Sequence, residues 1–330
     1  MLGNTFRDRG EVDRALRVHQ NVIARSNLNA KQKQKAMFAL GQDFFAAGML
    51  DRAESVFLEL SESNNKWVSK DSVSEALRTI YEQTQEWQKA IDAAKLIKKN
   101  QKKFRSASNN NALNMDNIIT HYYCELADES LQKGNLHEVD SFILEAKKNN
   151  KQSTRLMSLE GDIAFHQNQF KDALNHYLKA IEHDSRLQSN LFDKMDKSAQ
   201  SSGQAQWLMS RLLAIYQKHE DVNIFDAILQ LANMYGSNQE IDRLVDDVLK
   251  HKKLPIQSIS KASNYIKAKS DTSNAEHLES SDLGLQKIHH SLAVHLQGAP
   301  SFRCEHCGYK MHDHLWRCPA CNHWDTVDQC

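Results

Sequence analysis

The chain has 330 residues, with 42 basic against 42 acidic side chains. That balance offers a polyanion no general attraction, and no run of about 18 apolar residues provides a membrane span. Only 3 prolines and 11 glycines, with abundant Ala, Leu, Lys, Gln and Glu, predict an almost wholly helical body. The opening residues, MLGNTFRDRG, carry no basic-then-apolar leader and read as the interior of a helix.

Self-comparison then organises the chain. Ala15, Ala53, Ala90, Val139 and Ala173 serve as anchors, spaced 38, 37, 49 and 34 residues apart. Three residues before each stands an apolar side chain: Val12, Leu50, Trp87, Leu136, Phe170. Five before, four of the five carry a turn former: Gly10, Gly48, Gly134, Asn168. Twelve before come Gly3, Gly41, Arg78, Ala127 and Gly161; four after come His19, Phe57, Ala94, Ile143 and Tyr177. A small residue ahead of the anchor lets two helices approach, and each pair buries its apolar face by stacking on the next. The residues follow the tetratricopeptide pattern, closely in units one, two and five and less so in units three and four, where Arg78 and Val139 break the small positions. Two degenerate units are expected after Tyr177, one around Met195, Trp207 and Ala214, the other around Leu231, Tyr235, Leu244 and Val248, ending near Pro255. The array therefore spans 1–255 in about seven units, and its motif residues are packing residues.

Lys98–Asn114, polar and locally basic, accounts for the 49-residue spacing as an inserted loop. Such a basic run can also meet an acidic partner or anionic lipid heads. Ser270–Ser281 reads as a connector. Leu285, Ile288, Leu292 and Leu296 then follow helical spacing, and Gly298-Ala-Pro300 ends that helix, so 256–300 holds terminal helices and a connector. His289, His290 and His295 point in different directions on such a helix and do not share an ion.

The strongest signal is FRCEHCGYKMHDHLWRCPACNHW, Phe302–Trp324. Cys304-x-x-Cys307 and Cys318-x-x-Cys321 stand ten residues apart, the spacing of two knuckles that close one tetrahedral four-sulfur site. Gly308 and Asn322 follow the two pairs and suit a left-handed turn end. A ribbon of this length, 301–330, needs the ion to fold, and zinc and iron accept the same ligands. His306, His312, His314 and His323 are expected as exposed surface residues, since four thiolates already complete the site. Phe302, Tyr309, Leu315, Trp316 and Trp324 are expected to cover the sulfurs. The ribbon carries Arg303, Lys310 and Arg317 against Glu305, Asp313, Asp325 and Asp328, which disfavours nucleic acid. Cys124 reads as a small core residue and Cys330 as idle. No phosphate-cradling glycine cluster, G-x-S-x-G or H-E-x-x-H appears, and the metal site is closed, so no catalytic residues are expected. The fold class is all-α: a tetratricopeptide solenoid with a small four-cysteine ribbon, the ribbon packed on the Leu285–Leu296 stripe and the inner face of the repeats.

LGNTFRDRGEVDRALRVHQ, AAGMLDRAE, EWQKAID and HYYCELA, closed by FRCEHCGYKMHDHLWRCPACNHW, resemble the lipopolysaccharide assembly protein B family of Gram-negative bacteria from Leu2 to about Trp324. The resemblance implies a non-enzymatic adaptor at the cytoplasmic side of the inner membrane. It implies work with a membrane-bound AAA+ zinc protease that degrades the deacetylase of the lipid A pathway. It also implies that Cys304, Cys307, Cys318 and Cys321 hold one ion, iron or zinc. The family's amino-terminal transmembrane helix and first repeats have no counterpart in these residues, so the chain reads as a soluble fragment, a mis-assigned start or a reduced variant. The competing reading is a rubredoxin-type iron electron carrier joined to an interaction solenoid. Oligomeric state is left open.

Overall fold

A computed structural model describes residues 2–63, 67–103, 109–236, 239–251, 254, 256–272 and 302–329. The described residues form fifteen α-helices, one 3₁₀ turn and three short strands. Fourteen of the helices make seven consecutive pairs: α1 (Leu2–Asp8) with α2 (Val12–Ile23), α3 (Ala30–Ala46) with α4 (Leu50–Glu62), α5 (Lys70–Gln83) with α6 (Trp87–Lys103), α7 (Asn109–Gln132) with α8 (Leu136–Asn149), α9 (Thr154–His166) with α10 (Phe170–His183), α11 (Gln188–Ser202) with α12 (Ala205–His219), and α13 (Val222–Tyr235) with α14 (Gln239–His251). A last helix, α15 (Ile256–Thr272), packs on α13. None of these helices is long and apolar enough to cross a membrane.

The turn inside the first six pairs is built the same way. Gly10, Gly48, Gly134, Asn168 and Gly203 all adopt a left-handed conformation, with φ between 60° and 78°. The following amide bonds back across the turn, as in Met49 N to Phe44 O at 2.9 Å and Gln169 N to Ala164 O at 2.8 Å. This closes the first helix with its last carbonyls satisfied. The next residue but one opens the second helix, which is why an apolar residue stands three before every anchor. In the third pair the left-handed position is Gln85, φ 59°, a residue that bears the Cβ penalty glycine avoids.

Packing explains the small position twelve before the anchor. A Cβ at Gly41 would meet the Phe57 ring at 2.7 Å, and one at Gly161 would meet Tyr177 at 2.4 Å. In the third pair the sizes exchange, Arg78 with Ala94, and in the fourth Ala127 is larger than glycine and Ile143 smaller than an aromatic, so total volume is held. Arg78 then needs partners. Its guanidinium donates to Glu75 at 3.0 Å, to Glu82 at 2.7 Å and to the Tyr122 hydroxyl at 2.6 Å. Those acceptors hold its pKa above the ordinary arginine value although burial alone would lower it. In the first pair His19 takes the aromatic's place; its ring bonds the buried Asp43, which also accepts from Arg7 at 2.7 Å.

Of the stretch expected as an inserted loop, 98–103 and 109–114 are helical, since α6 runs through Lys103 and α7 starts at Asn109; 104–108 lie outside the described residues. Lys, Gln and Ala are good helix formers, and polarity alone does not make a loop. The sixth pair stands where a unit around Met195, Trp207 and Ala214 was expected: Met195 is buried, Trp207 packs on the core, the anchor position five after Gly203 is the buried Leu208, and Ala214 is exposed. The helix expected over Leu285–Leu296, its histidines and the break at Gly298–Pro300 lie outside the described residues, as does Cys330.

Contacts divide the chain into two compact units, Met1–Leu156 and Met157–Cys330. The first buries Ala15, Ala53, Phe57, Ile80, Ala90, Ile91, Ile119, Tyr122 and Val139. Cys124 is also buried there, as a small core residue. The second has a continuous core running from Ala164 through Tyr177, Leu191, Leu208 and Phe225 to Tyr265. The ribbon belongs to this second unit.

Candidate metal centre

The ribbon is a three-stranded antiparallel sheet ordered β2 (Lys310–Met311), β1 (Phe302–Cys304), β3 (Val327–Gln329). Phe302 faces Met311 on one side and Gln329 on the other, which sets Cys304 opposite Val327 at the sheet's end.

 The two knuckles repeat one another. Cys304 N donates to Tyr309 O and Gly308 N to Cys304 O, both at 2.8 Å; Cys318 N donates to His323 O and Asn322 N to Cys318 O, both at 2.9 Å. Gly308 and Asn322 end their turns at φ 76° and 60°, the left-handed conformation expected of both.

These turns bring the four thiols together. All four sulfurs lie within 4.8 Å of one another, with Cys304 to Cys321 at 3.6 Å and Cys307 to Cys318 at 3.7 Å. A tetrahedral ion with sulfur at about 2.3 Å requires spacings of about 3.8 Å. Cys304, Cys307, Cys318 and Cys321 are free thiols rather than disulfides. Burial pushes the Cys304 thiol up, but donors from Thr326, Cys307 and His306 outweigh it and bring it down to about 6. Cys321, desolvated beside its neighbours, is pushed up to about 12. Crowded thiols thus resist ionising together, and a cation is what permits it. The donor set fits one metal site.

The surroundings of the site depart in part from the sequence reading. Phe302 is buried with Met311, Val327 and the cysteines, as a cover over the sulfurs. Tyr309 and Leu315 are 48% and 42% exposed and contribute little to it. Arg317 lies over the half-buried Trp324, 5.8 Å from the ring centroid. Trp316 turns away from the sulfurs and packs against the core of the repeats. His306, His312 and His323 are exposed, whereas His314 is half-buried. Its ring sits edge-on to Phe302 at 5.7 Å and to Trp316 at 5.0 Å, and burial lowers its pKa against the pull of Asp184, Asp325 and Asp328.

Trp316 and His314 therefore mark a seat on the repeats that spacing did not reveal. The seat lies at the turn between α10 and α11, whose 3₁₀ segment is Ser185–Leu187. Burial would raise the Asp184 carboxyl, but two bonds from Arg186, both 2.8 Å, hold it below the usual range. The same arginine reaches Asp328 of the ribbon at 3.9 Å. An aromatic among charged residues, two positions before Cys318, was the available sign.

Comparison with known proteins agrees with this geometry. Residues 302–329 match the family described as rubredoxin metal binding domain, and residues 1–31 match the tetratricopeptide repeat family. Lipopolysaccharide assembly protein B of Escherichia coli strain K12 is 28% identical over 332 residues, covering 99% of this chain and 79% of the relative. The Haemophilus influenzae protein of the same name is 26% identical over 340 residues, covering 99% and 77%. Among solved structures, the C-terminal part of a repeat protein from Cytophaga hutchinsonii covers 83% of this chain and 96% of its own, at 12% identity and a TM-score of 0.42. The chain is thus a tetratricopeptide-repeat protein with a rubredoxin-like ribbon, similar along its length to lipopolysaccharide assembly protein B.

Proposed function

We propose that this chain is a non-catalytic adaptor in lipopolysaccharide assembly, in which a repeat array holds protein partners and a metal-stabilised ribbon braces its carboxy-terminal units. Similarity to lipopolysaccharide assembly protein B over 99% of the chain is the observation that carries this reading. Residues 1–255 are assigned to the array, 256–300 to terminal helices and connector, and 301–330 to the ribbon. Cys304, Cys307, Cys318 and Cys321 hold one iron or zinc ion, whose role is to tie the two knuckles and supply the folding energy a segment of this size lacks. In its finer form the proposal names the partners: a membrane AAA+ protease and the deacetylase of the lipid A pathway, met at the cytoplasmic side of the inner membrane. The chain promotes the deacetylase's breakdown there without cutting it. This part rests on the family resemblance.

The test is a pulse-chase of the deacetylase in cells with and without the gene, alongside affinity capture on the full chain and on a Cys304→Ser/Cys307→Ser variant. A longer deacetylase lifetime without the gene, with protease and deacetylase both captured by the intact chain, is expected. An unchanged lifetime overturns the adaptor reading; a red, iron-loaded chain with that outcome favours the electron carrier instead.

A further inference from the structure

The two knuckles leave a pair of imidazoles side by side on the outside of the thiol cluster. His306 lies within the first C-x-x-C turn and His323 two residues beyond the second. The two turns carry them to one place from different positions in their knuckles: the rings stack with centroids 3.7 Å apart and planes 21° from parallel. A nitrogen of each and the Cys321 sulfur all lie within 4.8 Å of one another. His323 Nδ1 lies 3.0 Å from the Cys321 carbonyl oxygen, which only accepts, so Nδ1 carries the proton and Nε2 keeps its lone pair.

This set has the chemistry of a second site. Two imidazoles and a thiolate suit a borderline divalent ion such as zinc, cobalt or nickel, with water completing the tetrahedron. Four thiolates around a divalent ion leave the centre net negative, which draws a further cation toward its edge. A thiolate already bound to one ion retains lone pairs for another. Stacked rings hold their lone pairs nearly parallel, so one must turn to converge on an ion. Both histidines are exposed, and that rotation gives up the stack between them. The ligand atoms already lie within 4.8 Å of one another, and a tetrahedral ion demands a spacing of about 3.3–3.8 Å, a difference such a movement can close.

We propose that His306, His323 and Cys321 form a second, labile site for a borderline divalent ion, bridged to the resident ion through the Cys321 sulfur. The inference rests on the four-cysteine reading, and the experiment separates the two. Full-length chain is loaded with zinc and dialysed; retention of one equivalent establishes the resident site, and failure there overturns that earlier reading alone. Cobalt(II) is then added to the zinc-loaded protein. The expected result is one further equivalent whose spectrum includes thiolate-to-cobalt charge transfer, the signature of a bridging Cys321. His306→Ala and His323→Ala are each expected to weaken cobalt binding at least about tenfold, the lower end of what even an outer-sphere partner is worth. Both should keep their zinc, and His312→Ala should change nothing. Cobalt binding without charge transfer, binding that survives both substitutions, or no second equivalent overturns the proposal.

Discussion

Replacing Trp316 by alanine tests how the ribbon is held to the repeats. Two contacts compete for the credit. Arg186 and Asp328 are 3.9 Å apart, with side chains 39% and 33% exposed, a pair worth about 0.5 kcal/mol in water. Trp316 packs on the apolar core of the second unit with His314 edge-on at 5.0 Å. Removing a fully buried tryptophan costs about 3–5 kcal/mol, and Trp316 is only half-buried, so about 2 kcal/mol is the reasonable loss. In populations, Trp316→Ala should favour the undocked ribbon by about thirtyfold and Asp328→Asn by about twofold. Amide hydrogen exchange on the metal-loaded full chain reads this at Arg186 and Leu187, whose amides bond Asp184 in the docked state. Trp316→Phe should fall between, and high salt should reproduce only the small effect. If Asp328→Asn or salt opened this turn as much as Trp316→Ala does, the docking would be electrostatic and the reasoning would fail.

Four further outcomes follow from the same structure. Chelating the ion, or replacing Cys307 by Ser, should unfold Phe302–Trp324 while far-ultraviolet helix signal largely persists; loss of most helicity would show the ribbon to be integral to the array. His314 takes up a proton less readily folded than unfolded, so the stability it contributes is complete above the ordinary histidine range near about 6.5 and is lost as pH falls below it; ribbon exchange rates at pH 7 and pH 5 should diverge more in wild type than in His314→Gln. Gly161→Ala should destabilise the second unit by about 2 kcal/mol in urea titration, because its Cβ would lie 2.4 Å from a fully buried Tyr177 whose hydroxyl donates to Asp162; a neutral result would mean helix propensity outweighs the clash. Gln85→Gly should stabilise by about 1 kcal/mol, since φ 59° suits glycine, and a loss of stability would contradict the strain assigned there.

The sequence by itself determined what depends on local rules. Helix pairs were readable because a glycine or asparagine in the left-handed turn and an apolar first residue recur at fixed offsets, and such turns are local chemistry. The four thiols were readable because C-x-x-C fixes which two sulfurs converge whatever surrounds them. The same rules failed at 98–103 and 109–114, where polarity mimicked a loop although these residues are helical.

Only the tertiary structure decided what depends on residues distant in the chain. Arg78 breaks the repeat pattern in sequence, yet it fits because Ala94 leaves room and Glu82 and Tyr122 receive its charge. Tyr309 and Trp316 are both aromatics of the ribbon; one faces solvent and the other docks on the repeats, a choice made by the surface at the α10–α11 turn. His314 and His323 look equally exposed in sequence, but one is half-buried beside Trp316 and the other stacks on His306. Spacing along the chain constrains backbone turns, whereas burial of a side chain is set by whatever the fold brings against it.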